Sequence, residues 1–298
     1  LVCAHPAIDA SIRAPLMLQT LLGLNASEIA SAFLVPAPTM GQRLVRAKAK
    51  IRDARIPFDL AEASTLEERL PSVLDAIYAA YTIADGAPAD AQPDGKPRDL
   101  SAEAIWLARL ATALMPKTGE TQGLLALMLL SEARKAADRP TFVPLSQQEP
   151  ALWDADAIAD GEEALRVAAH LGQPGRYQIE AAILSAHLDR KRTGRTDWPG
   201  ILRLYEALAT IAPSIGATVA YAGALYEAGE LDRARTVLGG LDPKAVAEYQ
   251  PYWAVAAHVA LALGDDATEA ISRAIALAQR PDHAAYLARL PELLSQKQ

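Results

Sequence analysis

The chain has 298 residues, of which 51% are apolar but only 5% aromatic, and a formal net charge of −7. That length suits two domains or one elongated helical array, and three Phe among many Ala and Leu favour helix on helix over sheet. The one cysteine, Cys3, excludes an intramolecular disulfide and fits a reducing cytoplasm; no apolar run is long enough for a bilayer, and no signal peptide is visible.

The charge is unevenly spread. Residues 1–58 hold seven Lys/Arg against three Asp/Glu, a net +4, which leaves −11 on residues 59–298. A basic head on an acidic body points the head toward a polyanion and the body toward proteins or its own packing.

In chain order, residues 1–5 read as the end of a helix whose start is missing, since the chain opens on Leu. Cys3 and His5 make a poor zinc site without a second cluster, so a packed thiol and a helix-end histidine are expected. Residues 11–22 form an amphipathic helix on Ile12, Leu16, Leu18, Leu21 and Leu22, closed by Gly23. Ser27 is placed to cap a short helix that buries Ile29, Ala30 and Phe33. Val35-Pro36-Ala37-Pro38 then breaks the helix, and Thr39 follows as the expected N-cap of another. Met40, Leu44, Ala47 and Ile51 give that helix one apolar stripe. Gln42, Arg43, Arg46, Lys48, Lys50 and Arg52 cover the rest. The pattern predicts a helix-turn-helix whose second helix enters a DNA major groove. An ordinary helical hairpin with a solvated basic face is the plainer alternative.

Ile56-Pro57-Phe58-Asp59 marks a boundary, which sets an expected division into a DNA-binding domain at 1–57, a helical extension at 58–197 and repeats at 198–298. Residues 66–84 read as a helix facing inward with Leu70, Val73, Leu74, Ile77, Tyr78 and Tyr81; residues 85–97 read as a Gly/Pro/Asp loop. Ser101 is the expected cap of a helix over 102–115 with Ile105, Leu107, Leu110 and Leu114 as its apolar set. Residues 121–137 are apolar nearly all round, which means burial between neighbours. An irregular connector over 139–154 carries Phe142, Val143 and Trp153, and helices follow near 155–171, 177–191 and 198–211. From about Ala212 two stretches run helix, Gly-acid turn, helix and closing Pro, with Gly229 and Gly264 35 apart. That spacing is close to the tetratricopeptide period of about 34, with Ala222, Tyr226 and Ala234 at its small, aromatic and small positions.

No nucleotide-binding, metalloprotease, paired-cysteine or nucleophile-elbow motif is present, and the five histidines are scattered singly. His187 and Asp189, at i and i+2, point apart on a helix, so Arg190, Lys191 and Arg192 read as a solvated charge run at a helix end. Glu67-Glu68 and Glu162-Glu163 read as exposed faces, and the four tryptophans as gap fillers between helices. Neither a catalytic constellation nor a cofactor is expected.

One resemblance joins these features. APLMLQTLLGLNASEIASAFLVPAPTMGQRLVRAKAKIR resembles region 4 of a bacterial RNA polymerase sigma factor of the extracytoplasmic-function group. The match rests on Glu28-Ile29-Ala30, Thr39-Met40, Arg43-Leu44, Arg46-Ala47-Lys48 and Lys50-Ile51-Arg52. The order of later segments is similar to the subgroup with a tetratricopeptide-like C-terminal extension; region 2, which binds the polymerase clamp, has no counterpart here. The resemblance implies an all-α, cytoplasmic, non-enzymatic protein: a three-helix helix-turn-helix domain followed by a tetratricopeptide-like array. It further implies promoter DNA and core RNA polymerase as partners, with region 2 or another regulatory protein meeting the body. Base-reading positions fall on Gly41, Gln42, Val45 and Arg46, with Thr39 and Arg43 toward phosphates; Lys48 and Lys50 add phosphate contacts from their charge. Gly41 stands where the family has Lys or Arg. A scaffold with a vestigial helix-turn-helix is the competing reading.

Overall fold

Every regular element is a helix among the residues that the computed structural model describes: 2–33, 35–54, 63–86, 99–138 and 141–295. They cluster into two compact units, Leu1–Pro116 and Lys117–Gln298. The boundary expected at 57/58 lies outside the described residues. No boundary is seen at 197/198, because Ile179 and Ile183 share one core with Ile201 and Leu202.

The first unit opens with a short 3-10 turn, Val2–Ala4, in place of an α-helical end. Cys3 Sγ lies 3.3 Å from the Thr20 hydroxyl, and the His5 ring accepts the Ala7 N–H at 3.1 Å. No metal-binding cluster forms among the described residues. Helices α1 (Ala10–Leu21), α2 (Ala26–Ala32), α3 (Ala37–Asp53), α4 (Ala63–Gly86) and α5 (Leu100–Leu114) follow. Gly23, at φ +68°, turns the chain after α1, where a Cβ would be strained. Helix α4 packs on α1, α2 and α5 and buries Leu74, Ile77 and Tyr81 as expected.

The expected caps lie elsewhere than their sequence positions suggest. Asn25, not Ser27, caps α2: its side chain accepts the Ser27 and Glu28 N–H groups, while Glu28 accepts the Asn25 N–H at 2.6 Å. This reciprocal pair satisfies two of the helix's orphan donors at once and outcompetes a lone serine. Asp99, not Ser101, caps α5, since a carboxylate accepts both the Ala102 N–H and the Ser101 hydroxyl. Thr39 is already inside α3; Pro36 holds the cap position, and Pro38 fits a first turn that needs no N–H donor. Helix α5 also faces differently than expected. Ala104 and Ala108 are buried, while Trp106 (62% exposed), Leu110 and Leu114 face outward, so small side chains carry the packing. The expected loop at 85–97 begins after Gly86, and the rest of it lies outside the described residues.

The second unit holds α6 (Gly119–Ala133), α7 (Ala155–His170), α8 (Arg176–Leu188), α9 (Arg190–Thr193), α10 (Trp198–Ile211) and α11 (Ile215–Glu227). It continues with α12 (Leu231–Gly239), α13 (Pro243–Val246), α14 (Gln250–Leu263), α15 (Thr268–Ala276), α16 (Pro281–Ala288) and α17 (Leu290–Ser295). Helix α6 is buried on all sides between α7 and α8, from Leu124 through Leu130. Close approach needs glycine: a Cβ on Gly123 would sit 2.6 Å from the Gln178 nitrogen of α8. Glu120 of α6 accepts the Tyr177 and Gln178 N–H groups at 3.1 Å, which caps α8 from outside. Burial raises the Glu120 carboxyl, and those two donors offset part of the rise.

The pairs α11–α12 and α14–α15 turn alike. Gly229 and Gly264 are both left-handed, at φ +82° and +77°, and the next residue donates back across the turn in each: Glu230 to Leu225 and Asp265 to Ala260, both at 2.9 Å. Ala222 and Ala234 are fully buried. No helix among the described residues is long and apolar enough to cross a membrane.

The charge run at 190–192 is not simply solvated. Arg190 donates to the carbonyls of Leu145, Ser146 and Gln148, and Lys191 to those of Pro150 and Trp153. At the other end of the connector, Arg280 pairs with Asp138 at 2.6 Å and with Asp282. Two short 3-10 turns, Leu145–Gln147 and Pro150–Leu152, order this stretch, and Trp153 donates to Gln148 at 3.2 Å. The connector is therefore pinned against the helices by cations reading its backbone.

Gly123→Ala is expected to destabilise the chain by about 1–3 kcal/mol, because backbone of α8, not a flexible side chain, would have to move; urea denaturation checks this. Acid is expected to weaken the fold through His187. Burial, with Arg190 and Arg134 adding, lowers this ring from 6.5 to about 4. Unfolding then takes up a proton between those values, so stability is full above about 6.5 and falls as pH drops through the window. The loss in urea midpoint between pH 7 and 4.5 should shrink in His187→Phe.

Candidate nucleic-acid interface

Helix α3 is held by one stripe. Met40 and Leu44 are each 1% exposed and Ala47 is buried, while Ile51 is only half-buried. Helices α1 and α2 both pack against α3. The connection from α2 is short: the Val35 N–H reaches the Ala30 carbonyl at 3.1 Å, and Pro36 starts the new helix.

At about 100° per residue, the rest of α3 sorts into three faces. Opposite the buried stripe stand Gln42, Val45 and Arg46, all exposed, with Val45 68% exposed. Arg43 and Lys50 flank this ridge on one side together with the half-buried Thr39. Lys48 and Arg52 flank it on the other, together with Gly41. Basic side chains thus border an uncharged and cationic tip from both sides. Among the described residues, Gln42, Arg46, Lys48 and Lys50 make no hydrogen bond or ion pair, so their polar ends stand free to solvent. Arg52 pairs loosely with Asp53 at 3.4 Å, both well exposed, which adds little binding of its own. Arg43 faces the charge of Asp9 at a distance. That carboxyl lies below its usual range chiefly through the Ser11 hydroxyl and N–H, with Arg13 and Arg43 adding.

The named positions do not all reach the open face. Gly41 is half-buried, and a Cβ there would meet the Ala26 methyl at 3.9 Å, so this position lies toward α2. Thr39, in the first turn of α3, leaves the first amides of the helix uncapped by any side chain. Arg52 was legible as one more cation, and its place on the Lys48 flank follows from the same helical spacing. What the arrangement can do chemically is neutralise two rows of negative charge while a polar ridge with Val45 at its centre meets what lies between them.

The fold and this face define an all-α chain of two units with a strongly cationic helix in the first. Comparison with known proteins gives its family. The chain belongs to the family of the uncharacterized protein R00370 of Rhizobium meliloti (strain 1021), to which it is 35% identical over 291 residues, 96% of this chain and 68% of that protein. Residues 69–169 match a family of unknown function, DUF6596. The matched stretch begins within α4 and ends within α7, so it includes neither α3 nor the paired helices after residue 198. No solved structure matches the chain.

Proposed function

We propose that this chain recognises promoter DNA as region 4 of an RNA polymerase sigma factor. In this reading α2 and α3 are a helix-turn-helix, and α3 lies in the major groove. Gln42, Val45 and Arg46 meet base edges, the first and last by hydrogen bonds and Val45 by contact with a thymine methyl. Arg43 and Lys50 on one flank, and Lys48 and Arg52 on the other, hold phosphates of the two strands. The observation that carries the reading is the exposed Gln42–Val45–Arg46 ridge between two cationic rows, opposite a stripe buried to a few per cent. A merely solvated basic face has no need of that order.

The second unit, acidic and built partly of like-turned helix pairs, serves in this reading as a tetratricopeptide-like module that meets protein. Its partners are the core polymerase, region 2 of the same factor or another regulatory protein, all within the cytoplasm. Residues 117–298 hold 18 Lys/Arg against 23 Asp/Glu, a net −5, which opposes their binding to the same DNA.

Selection of bound duplexes from a random library by the full chain is expected to enrich one upstream element. On that element Arg46→Ala should cost about 1–3 kcal/mol while binding to unrelated duplex barely changes. Lys48→Ala should weaken both duplexes alike. Equal loss on all sequences for Arg46→Ala would move it to the phosphates, and no enrichment at all would leave the scaffold reading.

A further inference from the structure

We propose that the second unit contains a binding site for a small uncharged aromatic or heteroaromatic molecule, in the cavity between the 142–146 stretch and helices α8, α10, α11, α14 and α16. The cavity measures about 380 Å³, within the size range of small-molecule sites. Trp198 and Phe142 give it aromatic faces, and Gly223 and Ala224 of α11 keep one wall low enough to admit a ring.

Four polar side chains line it without completing their hydrogen bonds inside the protein: His187, Tyr205, Tyr226 and His283. Their rings do make aromatic contacts. His187 stands edge-on to Trp198 at 5.3 Å, Tyr226 to His258 at 5.5 Å, and His283 stacks on Phe142 at 4.0 Å. Their nitrogens and hydroxyls, however, find no partner among the described residues. Reaching open space at one cavity, the four form a set of donors and acceptors suited to a ligand's edge. His258 shows the contrast. One ring nitrogen meets the Ala254 carbonyl at 2.7 Å and the other the Tyr286 hydroxyl at 3.3 Å.

Charge decides the ligand class. The nearby guanidiniums are already engaged, Arg190 by backbone carbonyls and Arg280 by Asp138 and Asp282. Glu227, the acid in the lining, accepts the Ser146 hydroxyl at 2.7 Å but keeps its negative charge, which opposes anions. Burial lowers both His187 and His283, which favours the neutral ring, with one donor and one acceptor, in each. Among the described residues, no Lys or Arg lines the cavity to hold a phosphate or carboxylate. Three histidines line the cavity, but no cluster able to hold a metal forms among the described residues. An uncharged ring with nitrogen or oxygen at its edge matches what remains. The wall at 142–146 is pinned by Arg190 and Arg280, so little ordering is spent on binding.

The test is saturation-transfer NMR on the full chain with indole and adenine as uncharged probes and benzoate and adenosine monophosphate as anionic ones. Transfer is expected to at least one uncharged probe and to neither anion. Ala220→Phe, at an exposed position on the cavity's rim, should abolish it. Tyr226→Phe, which deletes only a hydroxyl, should weaken it about five- to ten-fold, the worth of one hydrogen bond, and keeps the test decisive if the rim variant misfolds. The proposal is overturned if neither uncharged probe receives transfer. It is equally overturned if transfer persists in both variants or the anions bind as well.

Discussion

The packing of Met40, Leu44 and Ala47 decides how the most cationic segment of the chain is presented. Three side chains at spacings of four and three bury one line along α3, and burying a side chain of Leu or Met size is worth about 1.5–3 kcal/mol. Turning the helix by one residue would bury Arg43 or Lys48 unpaired, at a cost several times larger. The stripe therefore fixes the rotation of α3, and with it that Gln42, Val45 and Arg46 stand opposite, with cations on either side. Pro36 and Pro38 fix where that helix begins, since neither can extend a helix backward.

The second unit is organised by a different physical device. Its connector between α6 and α7 has little regular structure, so its carbonyls need donors from elsewhere. Arg190, Lys191 and Arg280 supply them, and none of the three is among the residues that line the cavity beside the connector. Glu120 does the same for α8, reaching across from α6 to amides that no local cap serves. Gly175 admits it, because a Cβ there would fall 2.2 Å from the Glu120 carboxyl carbon.

What could be read in the sequence was what period and punctuation carry. The stripe of α3, the burial of α6 all round and the two glycine turns 35 apart all follow from local patterns, and the structure has them. The caps were harder, because several polar residues adjoin each helix start and reciprocal bonding chooses among them; Asn25 wins by its pairing with Glu28. The facing of α5 was not legible: Trp106, Leu110 and Leu114 look like a core stripe, yet Ala104 and Ala108 pack. Nor could residues 190–192 be told from a solvated run, because their carbonyl partners lie some 40 positions away. The four cavity polar groups come from four helices and share no sequence pattern. For the candidate interface, residue types were legible and their two-sided arrangement followed from spacing, but the turning of Gly41 toward Ala26 did not.

The central claim is that the exposed cations of α3 meet the phosphates of a duplex, and the salt dependence of binding measures this directly. With Arg43, Lys48, Lys50 and Arg52 on phosphates, the logarithm of the full chain's affinity for a duplex should fall with that of salt concentration at a slope of roughly −3 to −4. Affinity that does not change with salt, or no binding even at low salt, would contradict the account.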